Sequence, residues 1–179
     1  RGIEPHILNK RIGDVVVRDA RLRWPVPADL ASCLLGGEFK KIERRAKYIV
    51  LHHVGGFLLA HLGMTGSMRI VTASEPVKTH DHVDICFEDG IILRYHDPRR
   101  FGSIHWISGR DLGHPLLDTL GPEPLSADFS GQALYARSRG KSQAVKLFIM
   151  DAKVVVGVGN IYANEALFAA GIDPRRAAG

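Results

Sequence analysis

The chain has 179 residues, 45% hydrophobic and 24% charged, which suits one large or two small soluble domains around a real core. No apolar run reaches membrane-spanning length and no signal-peptide pattern opens the chain, so neither a membrane span nor a leader is indicated. Twenty-four Lys and Arg against nineteen Asp and Glu leave a net charge of +5. That balance favours polyanionic partners such as nucleic acid or an anionic membrane face.

Ile3, Ile7 and Leu8 are spaced for one face of a short helix whose start Pro5 limits. Val15-Val16-Val17 begins a β-branched strand expected to run through Arg18, Arg21 and Arg23 toward Trp24. Asp29 is placed to cap a helix over Leu30–Leu35, which Gly36-Gly37 ends. Two cysteines, Cys33 and Cys86, fit a reducing compartment and small buried apolar packing better than a disulfide framework.

From there the pattern is that of β-hairpins. Tyr48–His53 and Phe57–Leu62 flank the turn signal Val54-Gly55-Gly56, and Val83, Ile85 and Phe87 alternate with Asp84, Cys86 and Glu88. Asp89-Gly90 supplies the positive φ angles of a tight turn into the next strand. Residues 1–112 are therefore a strand-rich sandwich or barrel. Residues 113–125, with Gly113-His114-Pro115 and Gly121-Pro122-Glu123-Pro124, are expected to be a linker. In residues 126–179 the period becomes helical, and Asn160 is placed to cap a helix over Ile161–Ala170.

Five constellations carry chemistry. Between two apolar runs, Tyr95-His96-Asp97-Pro98-Arg99-Arg100-Phe101-Gly102 reads as a hairpin tip. It presents two guanidinium forks beside a potential apolar wedge. Taken alone it also suits a solvated turn with paired arginines. His61-Leu62-Gly63-Met64-Thr65-Gly66-Ser67 ends a strand in a glycine-flanked loop, where Met64 either plugs the core edge or fills a gap of changing shape. Arg44-Arg45-Ala46-Lys47-Tyr48 is either a solvated charge run or a route for Lys47 into an apolar strand, where partial burial would lower its pKa for proton transfer. His80-Asp81-His82 would put both imidazoles on one face of a strand, but no third metal ligand is at useful spacing, and a phosphate or structural contact is favoured. Val156-Gly157-Val158-Gly159-Asn160 opens a helix with backbone N–H groups free to converge on an anion, with Lys141 and Lys146 nearby in sequence. Together these suggest phosphate-binding loops on a β domain and a helical domain, with a wedge between them, as duplex bending and nucleotide extrusion require.

Six blocks, RRAKY (44–48), HLGMTGS (61–67), HDHVD (80–84), DPRRFG (97–102), LGPEPLS (120–126) and VGVGNIYANE (156–165), resemble those of formamidopyrimidine-DNA glycosylases in order and spacing, across essentially the whole chain. The resemblance implies an α+β fold, an N-terminal antiparallel β-sandwich with flanking helices followed by a helical helix–two-turn–helix domain. It implies a bacterial, cytoplasmic, nucleoid-associated monomer that acts on double-stranded damaged DNA, with no membrane partner. The implied reaction removes oxidised purines through a Schiff base and β,δ-elimination. Met64, Arg99 and Phe101 match the void-filling trio, with Arg99 facing the orphaned cytosine. Lys47 matches a proton donor for strand cleavage. His80, Arg99, Lys141 and Asn160 match DNA contacts, with Arg100, His61 and Lys146 as supporting ones. Leu147 stands where many relatives carry proline.

The family's opening Pro-Glu motif and its C-terminal zinc-finger cysteines are not in this sequence, so a fragment is expected, with no metal of its own and no glycosylase turnover. The Arg1 amine is no substitute for the proline. The alternatives are an endonuclease VIII-like glycosylase for oxidised pyrimidines, a non-catalytic damaged-DNA-binding protein, and a metal-dependent hydrolase built on His80 and His82.

Overall fold

The computed structural model describes residues 2–179; the Arg1 amine lies outside the described residues. The packing divides into two units. The first comprises residues up to Arg44 and Tyr48–Leu112, the second Arg45–Lys47 and Gly113–Gly179.

The first unit contains α1 (Glu4–Ile7), β1 (Ile12–Val17), α2 (Leu30–Leu34), most of β2 (Phe39–Arg45), β3 (Tyr48–His53), β4 (Gly56–His61), β5 (Ser67–Thr72), β6 (Asp81–Phe87), β7 (Ile91–His96) and β8 (Ser103–Ser108). Pro5 lies in the first turn of α1, where its missing N–H leaves no bond unmade. The strands form two four-stranded sheets, ordered β1-β6-β7-β5 and β2-β3-β4-β8. Period-2 alternation sends Val15, Val83, Ile85, Leu93 and Tyr95 of one sheet inward against Phe39, Leu51, Leu58 and Ile104 of the other. Ile7 of α1 and Leu30 and Leu34 of α2 join the same core. This is an antiparallel sandwich with flanking helices, as expected.

Several local expectations are corrected. β1 stops at Val17, because the Asp19 carboxylate accepts the Arg21 N–H at 3.0 Å and turns the chain. Asp29 stands at the start of α2 but its side chain makes no capping bond; its carbonyl instead accepts the Ser32 hydroxyl. Cys33 and Cys86 are only partly buried. The strands β7 and β8 belong to different sheets, so the stretch between them is a crossover and not a hairpin tip.

The second unit holds α3 (Pro115–Asp118), α4 (Gly131–Ser138), α5 (Val145–Met150) and α6 (Asn160–Ala169). Ser130 caps α4 by accepting the Ala133 N–H at 3.1 Å. Phe148, Ile149, Ala163 and Leu167 form a small core. Residues 113–125 are integrated here, with the Gly121 N–H donating to Ala152 O and the Val156 N–H to Pro122 O. Asn160 is the first helical residue of α6 and makes no cap bond; the N-cap is Gly159. No helix among the described residues is long and apolar enough to cross a membrane.

Candidate nucleic-acid interface

Two crossovers lie side by side at one end of the sandwich. Residues 62–66 take the chain from β4 to β5, and residues 97–102 take it from β7 to β8. Both sheets register the two loops together, since His61 pairs with Ser103 and Ser67 with His96. Met64 stands at the tip of the first loop, 73% exposed, and Phe101 on the second, 46% exposed. The Arg99 guanidinium lies 4.7 Å from the centre of the Phe101 ring. An exposed thioether, an exposed ring and a guanidinium thus share one end of the domain.

The loops touch through backbone. A Cβ on Gly63, whose φ is +63°, would meet the Gly102 nitrogen at 2.7 Å, and one on Gly102 would collide with the Tyr95 hydroxyl and the His61 carbonyl. The buried Tyr95 hydroxyl donates to His61 O at 2.9 Å, and the Gly63 N–H donates to His61 Nδ1 at 3.0 Å. His61 therefore braces the base of the Met64 loop. Burial pushes the Tyr95 phenol well above its ordinary pKa, with the Asp97 charge adding to the shift, so it remains a donor.

His80 and His82 do not share a strand face. His80 is exposed in the turn before β6 with φ +78°, whereas His82 is buried and bonds Asp97 O through Nε2 at 2.8 Å. Asp81 closes that turn by accepting the Lys78 N–H at 2.7 Å and also bonds His96 Nδ1 at 2.8 Å. Burial raises the Asp81 pKa, but the Lys78 N–H, His96 and Arg94 outweigh it and leave the carboxyl below its ordinary value. Among the described residues no group of three or more His, Cys, Asp or Glu could hold a metal ion.

The Arg100 guanidinium is engaged inside the unit, donating to Asp19 Oδ2 at 2.8 Å and to Arg21 O at 3.3 Å. Asp19 is also gripped by Arg21, through bonds of 2.9 and 2.8 Å, and these hold its carboxyl far below the ordinary range. Sequence reasoning missed Asp19; its spacing to Arg21 was the available signal.

In the second unit the turn Arg45–Lys47 is held by one carboxylate. Glu123 Oε1 accepts the Ala46 N–H at 2.7 Å and Arg45 Nη1 at 3.2 Å, and Arg45 Nη2 donates to Gly121 O at 2.7 Å. Ala46 has φ +55°, so the turn is kept in a conformation alanine rarely adopts. Lys47 is exposed, with Nζ 3.3 Å from the point a Cβ on Gly159 would occupy, beside the first turn of α6 and Asn160. Glu123 lies within LGPEPLS, but nothing in that block alone tied it to residues 45–47. Lys141 is exposed beyond α4 on a cleft it shares with Ser142, Gln143, Asp151 and Lys153. Lys146 lies on α5, its N–H donating to Pro174 O.

The chain matches two family models, the formamidopyrimidine-DNA glycosylase N-terminal domain over residues 1–104 and the formamidopyrimidine-DNA glycosylase H2TH domain over 120–179. It is 58% identical over 179 residues to the formamidopyrimidine-DNA glycosylase of Syntrophotalea carbinolica, and 60% identical over the same length to that of Stutzerimonas stutzeri. It covers 66% of each relative's length and is itself covered completely. Among solved structures it resembles Lactococcus lactis Fpg in a complex with abasic-site DNA, at a TM-score of 0.90 and 30% identity over 99% of this chain and 66% of that one. A complex of the same enzyme with Fapy-dG-containing DNA gives the same score and identity, with 68% of that chain covered. The chain belongs to the formamidopyrimidine-DNA glycosylase family.

Proposed function

We propose that this chain is the larger part of a base-excision-repair enzyme, a DNA glycosylase with AP lyase activity that removes 8-oxoguanine and formamidopyrimidines from duplex DNA. The observation that carries this reading is the exposed Met64, Arg99 and Phe101 set on two interlocked crossovers. An apolar pair with a guanidinium suits the void left by an extruded nucleotide and the orphaned cytosine opposite it. The damaged DNA named in the L. lactis complexes supports the same substrate class.

Phosphate contacts are assigned to His80, Lys141 and Asn160, with His61, Arg100 and Lys146 in supporting roles. In this scheme residues 1–112 carry the wedge and residues 126–179 grip the backbone. Lys47, exposed at the start of α6, would deliver the proton for strand cleavage. The nucleophile implied by the family is an N-terminal proline amine, outside residues 1–179. It displaces the base at C1′ and leaves an iminium that draws electrons for β- and δ-elimination. A zinc ion in the whole protein would likewise need ligands from outside these residues. The intact protein is proposed to work as a monomer in the bacterial cytoplasm, near the nucleoid.

Borohydride trapping on an 8-oxoguanine:cytosine duplex tests this reading. A protein that joins this chain to an N-terminal Pro-Glu should be trapped covalently, and residues 1–179 alone should not. Binding without trapping in both would make this a damage-binding protein. Preferential excision of thymine glycol over 8-oxoguanine would move it to the pyrimidine-specific branch.

A further inference from the structure

Asp97 is fully buried and engages its backbone and its carboxylate together. Its N–H donates to His80 O at 3.1 Å, and its carbonyl accepts from His82 Nε2 at 2.8 Å and from the Arg100 N–H at 3.3 Å. One carboxylate oxygen accepts the Gly102 N–H at 2.8 Å, and the other accepts the Thr65 hydroxyl at 3.5 Å. These bonds reach three exposed segments: the turn that carries His80, the loop that carries Met64 beside Thr65, and the loop between Pro98 and Gly102 that carries Arg99 and Phe101. An aspartate that merely opened a turn would need one of these bonds.

We propose that Asp97 is a positioning residue for recognition of the base opposite the lesion. Its carboxylate closes the 97–102 loop onto the Met64 loop, while its backbone fixes the His80 turn. The wedge and a phosphate contact then keep one spacing before DNA arrives. Ordering these loops in advance removes that cost from binding. The inference deepens the proposed function and rests on it. Asparagine at this position keeps the shape but removes the charge. Its amide oxygen can still accept the Gly102 N–H and its NH2 can donate to the Thr65 hydroxyl, so the charge-assisted bond that closes the loop becomes a neutral one.

The test uses the full-length protein containing this chain, as wild type, Asp97→Asn and Tyr95→Phe. Tyr95→Phe removes only the hydroxyl bond to His61 O at the base of the Met64 loop. Affinity is measured for duplexes with an abasic analogue opposite cytosine or opposite adenine, and for undamaged duplex. The wild type should favour cytosine. Asp97→Asn should reduce that preference by about fivefold, the difference expected between a charge-assisted and a neutral buried hydrogen bond. Its affinity for undamaged duplex should stay within about twofold, since phosphate contacts dominate there. A merely structural role would lower binding to all three duplexes together and leave the ratio alone. Tyr95→Phe should lower the ratio in the same direction by a smaller factor, and it carries the test if Asp97→Asn does not fold. An unchanged cytosine-to-adenine ratio in the folded Asp97→Asn protein, or in Tyr95→Phe if that is the only folded variant, overturns the inference and leaves the proposed function standing. A wild type that prefers neither damaged duplex overturns both.

Discussion

Asp84 and Arg94 lie directly opposite each other on β6 and β7, Oδ1 to Nε and Oδ2 to Nη2 both at 2.9 Å, with each side chain 2% exposed. The pair is a fork-to-fork contact between neighbouring strands, and Arg18 adds a further bond to Asp84 at 2.7 Å. Removing one partner strands the other's charge. Arg94→Met should destabilise the protein by about 3–5 kcal/mol, toward the lower end because Arg18 remains. Denaturant unfolding of both proteins at neutral pH checks this, and a loss under about 1 kcal/mol would count against the account.

The same carboxylate sets an acid limit. Burial raises the Asp84 pKa, but Arg94 and Arg18 more than offset it, so the folded value lies below the ordinary one. A group with a depressed folded pKa contributes stability above its unfolded pKa, about 3.9, and that contribution is lost as pH falls through the folded value. Unfolding free energy should therefore drop steeply below about pH 4. The drop should be shallower in Arg94→Met, where the two pKa values lie closer together.

If Arg100 contacts DNA as proposed, its ion pair with Asp19 would compete with that contact. Neutralising it by Asp19→Asn should release the guanidinium and tighten duplex binding by about two- to fivefold at low salt, the scale of one exposed ion pair. The gain should shrink as salt is added. Weaker binding in fluorescence anisotropy would assign Asp19 a purely supporting role for Arg100.

Glu123 holds the Lys47 turn through the Ala46 N–H. In Glu123→Ala that amide loses the Glu123 carboxylate, and with it a restraint on the left-handed backbone of Ala46. Hydrogen exchange at Ala46 should accelerate at least about tenfold, one buried hydrogen bond's worth. Exchange at Phe148, in the core of the same unit, should barely change. Parallel acceleration at both sites would mean that Glu123 stabilises the whole unit rather than the turn.

Arg99→Ala should weaken binding to a lesion duplex by about 1–3 kcal/mol and relax discrimination of the opposite base. Competition binding across the four opposing bases measures both effects. Equal affinity for all four in the unmutated protein would remove this role from Arg99.

Much of this was legible in the chain. Strict alternation at 83–88 and Asp89-Gly90 located β6 and its turn, and Gly-flanked Met64 and Phe101 marked the exposed loops. Sheet membership was not legible, because alternation fixes which face a side chain takes and is silent on which strand lies alongside. That is why residues 97–102 read as a hairpin tip. β2 was hard to find, since Phe39-Lys40-Lys41-Ile42-Glu43-Arg44-Arg45 carries charge where a strand buried on both faces would be apolar. The partners of Asp97, Arg100 and Ala46 are distant in sequence or bonded through backbone, and residue type alone does not announce such contacts.

The paired crossovers also govern when the proposed wedge can exist. Met64 and Phe101 are each strung between opposite sheets, and no hairpin of the sandwich contains both. Their juxtaposition is thus a contact between distant parts of the chain, available only after both sheets have closed over the common core. A nascent or partly unfolded chain would carry the same basic residues and could cling to DNA, yet it would have no formed tool with which to probe between bases. Under the proposed function, intrusion into the duplex would thereby be reserved for molecules that have finished folding.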